Sequence, residues 1–237
     1  DSRLIRFETE IEWQERHKML KVIFPVEVHT YEALHEIQYG YLPRPNHRSR
    51  PFDADRFEVT NHKWTALAEP GRGAAVLNDC KYGVSVEGQE IRLTLLKSAL
   101  APDMTADLGH QVFSYGFYAW EGPLAESELQ RMAYEFNAPV TTCAGSAVDK
   151  SLFQLSDAGL IIDTVKPAED GSGDIIVRLY EWRGGSARGK LTCALPLAGA
   201  QLTDMLEQNQ RPLEVVDGSI ALEAGAFQVL TVRLQLA

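Results

Sequence analysis

The feature that most constrains the fold is an alternating run near the start, in which Ile5, Phe7, Thr9, Ile11 and Trp13 interleave with Arg6, Glu8, Glu10 and Glu12. Period two belongs to an extended strand, because successive side chains point to opposite faces and only one face is wet. The next run repeats the pattern, with Val22, Phe24, Val26 and Val28 on one side, and Arg16-His17-Lys18 fit the turn between the two strands. Pro25 has no amide hydrogen to give a ladder, so it places this second strand at an edge or a bulge.

Further strand signals follow in FEVT (57–60), GAAVLND (73–79), YGVSVEG (82–88), EIRLTLL (90–96) and QVFSYGFYAW (111–120). Asn78-Asp79 and Glu87-Gly88 stand where tight connections are needed, and these residue types suit turns. The stretch PRPNHRSRPFDADR (43–56) is too polar and too broken for a packed element and reads as a long surface loop of the kind that often carries function. One patch departs from period two: over 123–137, Leu124, Leu129, Met132, Ala133 and Phe136 recur every three to four residues, predicting a helix opened by Pro123. Past the polar, Gly-rich KPAEDGSGD (166–174), strand patterns return in IIVRLYEW, KLTCALP, SIALEA and AFQVLTVRLQL. A short helix is expected over TDMLEQ (203–208), with Thr203 as its N-cap. Many short strands with Gly and Asn/Asp turns make an all-β protein of antiparallel β-sandwich type with one or two short helices. The boundary is expected near residue 165, dividing a larger sandwich (1–165) from a smaller C-terminal β domain (166–237).

Catalytic chemistry is hard to find in these residues. A net charge of −10 offers no basic surplus for displacing counterions from nucleic acid. No long apolar span or leader-like segment is visible, which predicts neither a membrane span nor export. Cys80, Cys143 and Cys193 are odd in number and widely spaced, so free thiols in a reducing cytoplasm are expected rather than a disulfide framework. The six histidines form no HxxxH or HxH pair, so no metal site is expected in this chain. A GxSxG elbow is absent, and Cys80 in NDCKYG has no visible base beside it. A retaining glycosidase needs two carboxylates about 5–5.5 Å apart, yet among 33 acidic residues spacing selects none. Asp79, Asp103 and Asp107 stand out only for lying in loops, and turn formation explains Asp79 as well. EWRGGSARG (181–189) reads as a hairpin tip in preference to an anion cradle. Trp64, Tyr118 and Trp120 could stack on sugar rings or fill the core, and core filling is the commoner fate of sandwich aromatics.

In order along the chain, FETEIEWQERHKMLKVIFPVEV, RFEVTNHKW, GAAVLNDCKYGVSVEGQEIRLTLLKSALAPD and KPAEDGSGDIIVRLYEW resemble the C-terminal β region of glycoside hydrolase family 38, the class II α-mannosidases. LNDCKYG and KPAEDG carry the resemblance most specifically, whereas residues about 210–237 match only as a generic closing sandwich. The resemblance implies that the first domain is part of a large supersandwich, truncated at its N-terminus. It also implies a retaining enzyme releasing terminal α-linked mannose, whose aspartate nucleophile and divalent metal, zinc, belong to an N-terminal catalytic domain that nothing here resembles. The expectation is therefore a non-catalytic β region, inactive alone, with no cofactor of its own, packed in cis against that domain and helping to shape its site.

The corresponding substrate-proximal loop is KSALAPDMTADLG (97–109), with Lys97, Asp103 and Asp107 as its candidate residues. Lys97 stands where relatives often have Arg, which replaces a bidentate fork by a point charge. NHKW (61–64) and LNDCKYG are candidates for an interface or for supporting the loop. An autonomous carbohydrate-binding sandwich, using Trp64 or the 43–56 loop on mannose-containing glycans, is the alternative. Removal of part of a sandwich would also leave an open sheet edge through which copies could associate.

Overall fold

A computed structural model describes residues 3–146 and 150–237. The chain divides into two compact units, Asp1–Thr141 and Thr142–Ala237. The first holds β1 (Leu4–Trp13), β2 (Met19–Pro25), β3 (Glu32–Ile37), β4 (Gly40–Pro45), β5 (Val59–Thr60), β6 (Trp64–Glu69), β7 (Arg72–Asn78), β8 (Gly83–Glu87), β9 (Glu90–Lys97), β10 (Gly109–Glu121) and α1 (Leu129–Asn137). A six-stranded sheet, β1-β10-β7-β6-β3-β4, faces a four-stranded sheet, β2-β9-β8-β5. Every pairing in both is antiparallel. The result is the antiparallel sandwich that the alternation predicts.

β10 shows why one strand can read as almost continuously apolar. Phe113, Tyr115 and Phe117 join Ile91, Leu93, Val76 and Val84 in the core between the sheets. Tyr118 and Trp120, on the opposite face, pack with Trp64, Leu77 and the α1 residues Leu129, Ala133 and Phe136 in a second core. The helix expected over 123–137 thus exists, as a short 3₁₀ turn at Leu124–Glu126 followed by α1, and its apolar stripe seals the outer face of the larger sheet. Trp120 reaches its place because residue 73 is glycine: a Cβ there would fall 2.0 Å from Trp120 Cζ2. Pro25 ends β2, an edge strand, as its missing amide hydrogen requires. Gly88 takes φ +58° in the β8–β9 hairpin. β1 is likewise an edge strand, as are β4 and β5 at the opposite ends of the two sheets.

Several expectations are corrected. The 43–56 stretch is not a plain loop: its start completes β4, and Pro51–Arg56 form a 3₁₀ helix in which Asp53 accepts from the Arg50 amide and side chain. β3 and β6 carry no alternation that the sequence could reveal. In β6 the residues Trp64 to Leu67 are all buried, since this strand lies between two cores.

The second unit contains β11 (Phe153–Leu155), β12 (Leu160–Pro167), β13 (Ile175–Glu181), β14 (Ala187–Cys193), β15 (Leu197–Thr203), β16 (Asn209–Leu213), β17 (Val215–Val216), β18 (Ser219–Ala224) and β19 (Val229–Leu236). Its sheets run β12-β13-β19-β15-β16 and β11-β14-β18-β17, and Val177, Leu179, Leu191, Ile220, Val232 and Leu234 fill the space between them. The position near residue 165 falls inside β12, and KPAEDGSGD closes that strand and forms the β12–β13 connection over 168–174. Its polar residues hold Arg233, which donates to Asp174 Oδ2 at 2.6 Å and to Asp170 Oδ2 at 2.7 Å. The Ser172 amide, with Arg233, holds the Asp170 carboxyl down at about 2.

The helix expected over 203–208 is absent. Thr203 belongs to β15, and its hydroxyl donates to Thr231 O at 3.3 Å instead of capping. Asp204 Oδ1 accepts from the Leu206 and Gln208 amides, both at 2.9 Å, and so closes a turn into β16. EWRGGSARG is not a hairpin tip, because β13 and β14 lie in different sheets. It wraps the buried Glu181 carboxylate, which accepts from the amides of Arg183 (2.7 Å), Gly184 (2.9 Å), Gly185 (3.2 Å) and Phe227 (3.0 Å). The segment is an anion cradle whose anion is its own side chain. Among the described residues no helix is long and apolar enough to cross a membrane.

Candidate functional site

Strand register gathers four connections at one end of the first unit. Trp13 stands opposite Gly109, Met19 opposite Lys97, Asn78 opposite Tyr115, Trp64 opposite Leu77 and Thr60 opposite Gly83. The loops over 14–18, 61–63, 79–82 and 98–108 therefore share this end.

The 98–108 loop is pinned at its base. Trp13 Nε1 donates to Ser98 Oγ at 2.6 Å, and the Ser98 main chain exchanges bonds with His17 N (2.9 Å) and Lys18 O (3.0 Å). Asp107, at φ +62°, turns its carboxylate back so that Oδ2 accepts the Lys97 amide at 2.6 Å. Asp103 Oδ1 accepts both the Thr105 amide (2.8 Å) and the Thr105 hydroxyl (2.7 Å). Those two donors hold the Asp103 carboxyl below its ordinary value. Of the three residues singled out in the sequence, Asp107 thus closes the loop onto the main chain of Lys97. The Lys97 and Asp103 side chains lie exposed. Nothing brings the three into an acid–base pair.

Beneath the neighbouring loops lies a polar cluster that the sequence did not reveal as one. Asn78 Nδ2 donates to Asn61 Oδ1 at 2.9 Å and to His62 O at 2.8 Å, while its Oδ1 accepts the Lys81 amide at 2.8 Å. Asn137 Nδ2, at the end of α1, donates to Asn78 O at 3.0 Å. Asp79 Oδ2 accepts the Ser114 amide of β10 at 3.1 Å, a contact with a distant strand rather than a bond within its own turn. Glu36 is completely buried and takes the Lys63 amide at 2.8 Å and the Lys63 ammonium at 2.6 Å. NHKW and LNDCKYG therefore brace this end of the sandwich: each asparagine side-chain NH2 donates into the other's loop, Asn61 to Tyr82 O at 3.2 Å and Asn78 to Asn61 Oδ1 and His62 O. Cys80 is exposed as a residue, yet partial desolvation and the neighbouring Asp79 carboxylate push its thiol up to about 11. A thiol so far from ionising is no nucleophile at neutral pH.

Trp64 offers no platform to a sugar. It is 0% exposed, its indole N–H donates to Gln130 Oε1 at 2.7 Å, and Tyr41 packs against it with ring centres 5.8 Å apart. Tyr118 and Trp120 stack on each other at 5.6 Å, also buried. Among the described residues no three His, Cys, Asp or Glu side chains gather where they could hold a metal ion.

Residues 1–105 match the family described as glycosyl hydrolases family 38 C-terminal domain, and residues 159–232 match the glycosyl hydrolases family 38 C-terminal beta sandwich domain. Human α-mannosidase 2C1 is 39% identical over 98% of this chain, which covers 23% of that protein. α-Mannosidase G of Dictyostelium discoideum is 37% identical over 98% of this chain, covering 22% of its length. The chain thus spans under a quarter of these curated relatives. The crystal structure of an α-mannosidase from Enterococcus faecalis V583 shares the fold, with a TM-score of 0.81 and 20% identity over 99% of this chain and 28% of that one. With two family matches in the order expected, one in each unit, the chain belongs to glycosyl hydrolase family 38 and corresponds to its C-terminal β region.

Proposed function

We propose that the chain is the non-catalytic β region of a retaining α-mannosidase that hydrolyses terminal α-linked mannose. It packs in cis against a catalytic domain and helps to shape that domain's sugar site through the 97–109 loop. The observation that carries this reading is the family match, together with relatives named as α-mannosidases of which the chain forms only the smaller part. The geometry agrees with it. Asp107 and Ser98 fix the base of the loop, so the exposed Lys97 and Asp103 can be presented in a defined place to a neighbouring domain. The divalent metal, zinc, that the family resemblance implies would be held by residues of that catalytic domain. Its three free cysteines fit a protein of the reducing cytoplasm. The open edges of β1 and β2 are the surfaces through which isolated copies would associate.

The test uses the whole enzyme and this chain side by side. The whole enzyme with Asp103→Asn or Lys97→Ala loses about tenfold or more in kcat/KM on a chromogenic α-mannoside, some 1.4 kcal/mol of transition-state stabilisation. The isolated chain releases no mannose. Unchanged kinetics in both variants would remove the loop from the site, and hydrolysis by the chain alone would overturn the non-catalytic assignment.

A further inference from the structure

A concave site lies on the outer face of the four-stranded sheet, with Met19, the cross-strand neighbour of Lys97, in its wall. The segment from Pro45 to Glu58 folds across the outward side chains of β2, β8 and β9 and leaves a cavity of about 250 Å³. Lys21, His47, Arg48, Arg56 and Arg92 line it, against the carboxylates of Asp53, Glu58 and Glu87. In a chain of net charge −10 such a concentration of basic groups is unexpected.

The acidic residues of the cavity are already engaged. Asp53 is taken by Arg50, through its amide at 2.9 Å and its guanidinium at 3.1 Å. Glu58 is taken by the Lys21 ammonium and the Thr94 hydroxyl. Glu87 accepts Arg92 Nη1 at 3.1 Å, with Arg48 only at 3.5 Å. Arg56 forms no ion pair among the described residues: its guanidinium lies 5.2 Å from the Phe52 ring centre, a contact that leaves its N–H donors available. Arg44 is held below its ordinary value by burial and by the Arg56 charge. Arg92 is held more closely still by Glu90, at 2.6 Å. Lys21, Arg48, Arg50, Arg56 and Arg92 thus face four acids, Asp53, Glu58, Glu87 and Glu90, which leaves one positive group in excess beside a pocket. The planar fork of Arg matches an oxyanion. Exposed Phe57 and Met19 line the same cavity and offer apolar surface beside the charge.

We propose that this cavity binds the phosphate group of a small ligand, with Arg56 and Arg48 as its principal contacts. The group could arrive as free phosphate or as the phosphomonoester of a hexose, for which Phe57 and Met19 would supply the apolar contact. The site is independent of the mannosidase reading and stands or falls separately from it.

The test is calorimetric titration of the 237-residue chain with inorganic phosphate, a hexose 6-phosphate and the neutral hexose at low salt. Millimolar binding of either phosphate is expected, weakening as salt is raised. A tighter ester identifies a sugar phosphate, and equal affinities identify the free ion. Arg56→Ala weakens binding about tenfold or more, and Arg56→Lys, which keeps charge but loses the fork, falls between. Arg56 is exposed, so neither variant threatens the fold. Absence of heat with both phosphates up to about 20 mM, or binding indifferent to both Arg56 variants, would overturn the proposal.

Discussion

The indole N–H of Trp64 meets the side-chain oxygen of Gln130 at 2.7 Å with both residues buried, which ties the central strand β6 to the helix α1. Together with the Asn137 Nδ2–Asn78 O bond at the far end of the helix, this bond gives a direction to packing that is otherwise apolar. Trp64→Phe keeps most of the ring volume but withdraws the donor from a buried amide oxygen. It should cost about 1–3 kcal/mol in urea unfolding. Trp64→Ala adds a cavity and should cost about 3–5 kcal/mol. A loss below half a kilocalorie for both would show that the second core is not closed as described.

His35 should make stability depend on acidity. It is buried in β3 with Nδ1 at 3.1 Å from Thr65 Oγ1, and burial, aided by the charge of Arg44, lowers its pKa to about 3. A histidine depressed in the folded state resists a proton that the unfolded chain accepts near pH 6.5. Its stabilising effect is therefore complete above pH 6.5 and is lost progressively as pH falls towards 3. At pH 5 the loss amounts to about 2 kcal/mol. Comparing the melting temperature of the native chain and of His35→Gln from pH 7 to 4 isolates this contribution from the carboxylates. The two curves should converge as pH falls, and parallel curves would refute the assignment.

Lys63 and Glu36 test the brace under the loops. Lys63→Met leaves a fully buried carboxylate with the residue-63 amide as its donor, and should destabilise by about 3–5 kcal/mol. The paired variant Glu36→Gln/Lys63→Met removes the stranded charge and should recover part of that loss. Denaturant unfolding of the single and double variants reads this directly.

How much of this was legible in the sequence depended on how many faces of an element are buried. β1, β9 and β10 announced themselves because polar and apolar residues alternate or aromatics dominate. β6 did not, since two cores enclose it and no period survives, and β3 did not, because it buries His35 and Glu36 where a strand pattern would show aliphatics. The three-to-four spacing of 129–136 identifies α1, whereas the N-cap signal of Thr203 is misleading at 203–208, where Thr203 and Asp204 spend their side chains on a strand end and a turn. In the candidate site, the loop was legible through family resemblance. The Asn61–Asn78 and Glu36–Lys63 contacts were not, because each joins a strand residue to a loop residue distant in sequence, and polar residues are ordinarily solvated until the assembled sheets bury them.

Glu181 gives the last and sharpest test, because its environment is the reverse of an ordinary buried acid. Four main-chain amides converge on its carboxylate: Arg183 on one oxygen, and Gly184, Gly185 and Phe227 on the other. These bonds hold the corner between β13 and β14 and fasten it to the turn before β19, so the carboxylate takes the place of a missing ladder. Gly184 is required at φ +76°, and a Cβ on it would stand 2.7 Å from Phe227 Cζ. Glu181→Gln is nearly isosteric but presents an NH2 group to N–H donors on one side. It should destabilise the second unit by about 2–3 kcal/mol despite the minimal change in shape. Glu181→Ala, which orphans all four amides, should cost more. If the glutamine variant unfolds at the native denaturant midpoint, the amides are satisfied by water, and the corner is not organised by the charge.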